Sequence, residues 1–434
     1  MRNKTIFSKD FTLVAIGQII SIFGNQILGL ALPLYILNKT GSSVLFGSIL
    51  AVSFIPMILL FPIGGIIADR VNKRNIMVIL DFGTALLIAA FCLLSGAMDI
   101  VVLAAITMIV LCGVKGAYQP AVQASVPALV GSENLMRANS VVNLINSLAS
   151  MLGPVLGGVL FSLVGLVPIL YISIGCFFAS AVMEIFIRIP FEKKEKSGNM
   201  FATAVGDLKT SFGFMFKKQP VLWKASFAYA SVNLFLTSLV LIGLPVILTA
   251  HLGFAEETAS RLYGYSQSVV AIGAILGGVV AGVLAKKLKS KYSPLIIIGC
   301  ALSMLIAGIA LQTLRSAMVA YIVLSVCSGL LVALSTLFQI QIMSNVGLLT
   351  PKELIGKVIA CVICVCMCTN PLGQFIYGFV FDRIGSHTYI PFYIAALIMV
   401  GIGLLTRRVF YGIDNLLENQ GNTDCISATP VPDL

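Results

Sequence analysis

The sequence predicts an all-α membrane protein with 12 transmembrane helices in two six-helix, pseudo-symmetric halves. Three observations predict it. First, the 434 residues are 59% hydrophobic and only 10% charged. A water-wetted globular surface needs roughly 25% charged residues. Second, apolar runs of bilayer length recur along the chain. Residues 11–38, 262–285 and 358–381 contain no Asp, Glu, Lys or Arg. Residues 138–183 contain none either and are long enough for two crossings, with Gly165 and Pro168 marking the turn. About 20 apolar residues span a hydrocarbon core. Third, 23 of the 28 Lys and Arg residues fall in segments on one side of such a bundle and four on the other. Short cytoplasmic loops retain positive charge, so the imbalance orients the bundle with both termini in the cytoplasm.

The expected helices cover 11–37, 44–68, 76–98, 100–122, 138–163 and 167–189, then 222–248, 262–285, 294–313, 317–341, 358–381 and 389–406. A transmembrane β-barrel would show alternating segments of about ten residues, and these runs are longer and uniformly apolar. The first run exceeds a signal-peptide core and lacks a small-residue cleavage site after it, so it reads as a first helix. The segment 191–220 is the longest break in hydrophobicity and reads as a cytoplasmic linker. It separates an N-terminal six-helix half, 1–190, from a C-terminal half, 221–410. The polar tail 411–434 reads as disordered. An internal echo supports the two halves: residues 65–70 align with 282–287 at an offset of 217, which also places Pro154 on Pro371.

The loop after the second helix reads Gly65-Ile66-Ile67-Ala68-Asp69-Arg70-Val71-Asn72-Lys73-Arg74. It resembles the signature loop of the major facilitator superfamily, Gly-x-Leu-Ala-Asp-Arg-x-Gly-Arg-Lys, with Ile67 for leucine and Asn72 for glycine. Asn tolerates a left-handed backbone better than most residues, so that departure is mild. Gly65 would let helices approach closely. Asp69 would sit against the positive end of a neighbouring helix. The resemblance implies a latch between the halves, formed by Gly65, Asp69, Arg70, Lys73 and Arg74, that holds the outward-open state. In the fifth helix, Ala149-Ser150-Met151-Leu152-Gly153-Pro154-Val155-Leu156-Gly157-Gly158 resembles the antiporter signature of the same superfamily. Proline removes a helix hydrogen bond and bends the helix. Gly153, Gly157 and Gly158 would allow tight packing around Pro154. In the family this motif accompanies export. The stretch 127–140 and its looser partner 351–358 are similar to the branch that holds macrolide-efflux and enterobactin-exporter proteins.

Lys115 lies inside the fourth helix, where an ionisable side chain costs about 2.5–3.5 kcal/mol to insert. The superfamily has a basic residue, usually Arg, at this place, tied to proton coupling. Lys115 and its expected partner Asp81 are therefore the proton-coupling candidates. Glu184 and Arg188, spaced i,i+4, read as a structural ion pair. Gln26, Gln119, Asn146, Asn233, Gln339 and Asn370 are the candidate cavity residues. Sparse uncharged polar groups in an apolar cavity suit an amphiphilic organic substrate.

Several classes fall away. The net charge of +11 sits in short loops rather than in a basic, aromatic-interleaved stripe, which argues against a nucleic-acid partner. The cluster Cys361, Cys364, Cys366 and Cys368 has no histidine nearby in sequence, so no metal is expected; thiols also serve as small apolar residues. There is no Gly-x-x-x-x-Gly-Lys loop, the signature of phosphate binding. The two histidines sit near outer helix ends, and no cofactor or enzymatic constellation is read. The resemblance and composition together point to a monomeric drug:proton antiporter in a bacterial inner (plasma) membrane. Its partners would be a small-molecule substrate, protons and the lipid bilayer. A siderophore or lipid exporter is the alternative substrate class, and a membrane receptor or scaffold without flux the rival class.

Overall fold

In the computed structural model, residues 8–130, 132–189, 210–284, 288–351 and 354–427 are described. Among them, twelve helices are long and apolar enough to cross a membrane. The first half comprises α1 (Lys9–Thr40), α2 (Ser43–Arg70), α3 (Lys73–Leu94), α4 (Ile100–Leu129), α5 (Leu135–Val164) and α6 (Leu166–Ile185). The second comprises α7 (Pro220–His251), α8 (Glu256–Leu284), α9 (Ser293–Thr313), α10 (Ala317–Leu349), α11 (Ile355–Ile384) and α12 (Ile390–Ser427). Each expected span has its helix. The protein is a multi-pass membrane protein.

Local chemistry sets the turns. Gly41 adopts φ 62° and donates its N–H to the Leu37 carbonyl, a left-handed stop that glycine takes without steric cost. Ser42 then accepts from the Leu45 N–H to start α2. The Asp99 carboxylate accepts from the N–H groups of Val101 and Val102 and opens α4. Leu93 and Leu405 are 82% and 81% exposed, and large apolar side chains stand out all around the bundle. In water such a surface would aggregate; against lipid tails it is the expected exterior.

The halves repeat one packing scheme. In the first, α1 packs on α5 and α6, α2 on α4, and α3 on α4 and α6. Adding six to each number gives the second: α7 on α11 and α12, α8 on α10, and α9 on α10 and α12. The seams between halves obey the same shift, α2 meeting α11 and α5 meeting α8.

Both seams close at the end of the bundle where α1 turns into α2. A Cβ on Gly47 would lie 2.6 Å from the Gln374 carbonyl oxygen and 2.9 Å from the Gly378 Cα. A Cβ on Gly158 would lie 2.8 Å from the Ser260 carbonyl oxygen and 2.9 Å from the Gly264 Cα. Only glycine permits these backbones to touch. The side-chain hydrogen bonds described between halves run from this end to mid-height. Asn38 Nδ2 donates to Glu256 Oε1 at 2.9 Å, Ser268 Oγ to the Met151 carbonyl at 2.5 Å, and Arg261 to Ser162 Oγ.

Three expectations need correction. The helix α12 continues to Ser427 through the segment read as disordered. Ile413 is fully buried, and the Asp414 carboxylate accepts from the Ser290 and Lys291 N–H groups at 2.8 and 2.9 Å. These contacts hold the helix beyond the membrane-spanning run. The helix α6 ends at Ile185, short of 189, so Arg188 lies outside it. Its backbone N–H donates to Asp10 Oδ1, and no i,i+4 pair with Glu184 forms. The third is Asn72, with φ −58° rather than a left-handed backbone. Its side chain accepts from the Arg74 N–H at 3.1 Å and starts α3. Most of the expected linker, residues 191–209, lies outside the described residues.

Candidate functional site

A cavity of about 350 Å³ opens within the first half, between α1, α3, α4, α5 and α6. Five residues singled out from the sequence line it: Gln26 from α1, Asp81 from α3, Lys115 and Gln119 from α4, and Asn146 from α5. Asn25, Ser147 and Ser150 add polar groups, and Ile22, Val114 and Phe177 give it apolar wall. Such a surface can hold an organic molecule by apolar contact and orient it by a few polar groups.

Asn233, Gln339 and Asn370 lie elsewhere. Asn233 sits in a wide-turn segment of α7, Asn233–Thr237, and donates to the Tyr229 carbonyl at 3.1 Å. The Asn370 carbonyl accepts from Ser238 at 3.5 Å. Gln339 is exposed. Single polar residues on apolar helices serve helix packing as readily as ligand binding, and sequence position does not separate the two.

The expected Lys115–Asp81 pair is not formed among the described residues. Asp81 is only 2% exposed, and its Oδ1 accepts from Ser21 Oγ at 3.2 Å. Lys115 stays exposed in the cavity. An ammonium group keeps its hydration when its stem can extend into open space, whereas the shorter aspartate is drawn against α1.

Behind Asp81 lies a group of buried polar residues. Tyr118 Oη donates to Glu184 Oε1 at 2.8 Å and accepts from Gln18 Nε2 at 2.6 Å. Glu184 is fully buried, and Gln18 and Tyr118 nearly so. Gly17 of α1 packs over this group, and a Cβ there would stand in ordinary contact, 3.6 Å from Glu184 Cγ. Asp81 Oδ2 and Glu184 Oε2 are buried without hydrogen-bond partners. Sequence reasoning missed Glu184 by pairing it with Arg188, and passed over Tyr118 although it sits three residues after Lys115. The legible signal was Glu184 itself, an acidic residue in an apolar helix.

The antiporter-like segment uses two faces of α5. Gly153 and Gly157 meet α1, where Cβ atoms would stand 2.5 Å from Gln26 Cβ and 3.2 Å from Ile27 Cα. Gly158 meets Gly264 of α8, and a Cβ on Gly264 would in turn lie 2.6 Å from the Pro154 carbonyl oxygen. Glycines and proline together thus form both the inner packing of α5 and its seam with the other half. Of the latch candidates, Lys73 and Arg74 occupy the first turn of α3. Arg74 Nε is buried without a hydrogen-bond partner. The side chains of Gly65, Asp69 and Arg70 lie outside the described residues. No group of three or more His, Cys, Asp or Glu residues that could hold a metal gathers among the described residues.

Twelve spans, six-helix halves with matching seams and a polar cavity inside one half define a multi-pass membrane protein of paired repeats, the architecture of many transporter folds. The chain belongs to the Major Facilitator Superfamily, whose family model matches residues 14–368. It is 29% identical over 213 residues to the MFS-type transporter YfiS of Bacillus subtilis, covering 49% of this chain and 50% of that protein. It is 28% identical over 189 residues to macrolide efflux protein A of Streptococcus pyogenes, covering 42% and 45%. Enterobactin exporter EntS of Citrobacter koseri is 30% identical over 157 residues, covering 35% and 37%. The chain spans half or less of the length of these curated relatives. Among solved structures, a bacterial homologue of the lysosomal transporter Spinster, inward-facing and unoccupied, superposes with a TM-score of 0.69 at 14% identity. That match covers 95% of this chain and 99% of the other. The nucleoside transporter NupG gives 0.70 at 11% identity, covering 93% and 99%. These likenesses bear on the fold alone.

Proposed function

We propose that the protein is a secondary active exporter of hydrophobic or amphiphilic small molecules, working by proton antiport and alternating access. The carrying observation is the cavity, in which apolar wall, uncharged Gln26, Gln119 and Asn146, and ionisable Asp81 and Lys115 meet. An amphiphilic molecule fits such a lining better than a sugar, which needs more hydrogen-bonding groups, or a phosphate, which needs clustered arginines. The antiporter-like segment of α5 and the partial similarity to a macrolide efflux protein support export.

The distribution of Lys and Arg supports cytoplasmic termini in a bacterial plasma membrane. With that orientation the closed seams face outward and the cavity belongs to an inward-facing state. The latch Gly65–Arg74 would engage on the other side when the halves rock to the outward-open state. Substrate would enter from the cytoplasm, and protons returning inward through Asp81 and Lys115 would reset the cycle. The likeness to an enterobactin exporter favours one second reading, a siderophore as cargo on the same cycle.

The test is accumulation of labelled macrolide and ethidium in an efflux-deficient bacterium expressing this chain, with and without a protonophore. The proposal expects low accumulation that the protonophore reverses. Accumulation equal to the empty-vector control would reject drug export and turn the search to a siderophore.

A further inference from the structure

Glu184 lies one layer behind the cavity. It touches no cavity space, yet its Oε1 accepts from Tyr118, which does line the cavity. The phenol oxygen accepts from Gln18 Nε2, so the single Tyr118 hydrogen is committed to Glu184. Ser21 Oγ donates to Asp81 Oδ1, and Ser21, Asp81 and Tyr118 all line the cavity. Both carboxylates are therefore within reach of the cavity, Asp81 directly and Glu184 through Tyr118.

Among the described residues, the groups facing this pair carry no compensating charge. From α1 come Gly17, Gln18 and Ser21, from α6 Ser180, and from α4 Tyr118. Lys115, the one cation lining the cavity among the described residues, stays exposed and forms no ion pair with Asp81. Asp81 Oδ2 and Glu184 Oε2 are both buried and unpartnered. Two buried carboxylates without a counter-cation would be strongly unfavourable, each ion costing several kcal/mol to desolvate. The repulsion between them adds to that cost.

We infer that Asp81 and Glu184 form one proton-binding site that loads from the cavity, Asp81 directly and Glu184 through Tyr118. In loading, a hydronium ion in the cavity gives its proton to the Tyr118 phenol oxygen and leaves as water, while Tyr118 passes its own hydrogen to Glu184 Oε1. Tyr118 ends neutral, as it began, and Glu184 becomes neutral, with no electron transferred. Asp81, which lines the cavity, takes its proton directly. As the coupling site for export, the pair rests on the exporter reading above.

The test is infrared difference spectroscopy during a pH titration of the purified full-length protein in phosphatidylethanolamine–phosphatidylglycerol vesicles. Wild type should show a titrating band from a protonated carboxyl C=O. Glu184→Gln, which keeps the acceptor for Tyr118, should lose that band while melting as wild type does. Tyr118→Phe should shift its frequency. A carboxyl spectrum unchanged in Glu184→Gln would overturn the inference even if transport stood. A wild type that moves no ethidium across those vesicles under an imposed pH gradient would overturn the exporter reading instead, with the band still deciding the site.

Discussion

Gly158 of α5 and Gly264 of α8 meet backbone to backbone across the seam between the halves: a Cβ on Gly158 would stand 2.9 Å from the Gly264 Cα. Gly47 and Gly378 make the same contact across the α2–α11 seam. Closure of this end of the bundle therefore depends on four residues having no side chain. Because backbone atoms, not flexible side-chain tips, occupy the space, no rotamer change can absorb an added group.

Gly158→Leu should fold, because α5 can keep its α1 contacts, but should hold the seam apart. Even about 1.4 kcal/mol against the closed state shifts its population tenfold. A cysteine replacing Asn146 in the cavity should then react at least several-fold faster with an impermeant maleimide added from the outer side. Equal labelling rates in the two backgrounds would show that the seam does not gate the cavity.

Asp69→Asn should abolish export while leaving protein levels in the membrane unchanged. The substitution removes one charge and keeps the shape, so loss of activity would report the latch rather than misfolding. Export at wild-type rate would remove Asp69 from any such role.

Lys115 is exposed in the cavity and unpaired with Asp81, so its charge is available to substrate or proton rather than consumed structurally. Lys115→Ala should therefore fold as wild type does and lose the pH dependence of transport. Flux measured across external pH values decides it, and full retention of the pH dependence would exclude Lys115 from coupling.

Asp414→Ala should leave transport chemistry intact and lower stability. The carboxylate caps two N–H groups, at Ser290 and Lys291, and loss of one helix cap costs about 1 kcal/mol. A thermal melt in detergent reads the effect. An unchanged midpoint would mean that water replaces the carboxylate at no cost.

The fold was legible because bilayer spans are written in long uncharged runs, and the structure places a helix on each. Helix ends were less legible, since they depend on caps such as Asp99 and Asp414 whose partners lie in turns or far along the chain. The cavity was half legible. Gln26, Gln119, Asn146, Asp81 and Lys115 converge, while Asn233, Gln339 and Asn370 do not, because the rotation of each helix about its axis is set by packing rather than by composition. Glu184 was misread because i,i+4 spacing predicts a pair only within a helix, and α6 ends before Arg188. The role of Asn72 differed for a related reason: a side-chain cap, not backbone handedness, suits that position.

The most direct measurement of the central claim is ethidium movement in proteoliposomes of the purified protein under an imposed pH gradient, with no other energy source. Proton-coupled export predicts ethidium accumulation on the acidic side, against its own gradient, that collapses when nigericin dissipates the pH difference. Ethidium distribution identical to that in protein-free liposomes would contradict it.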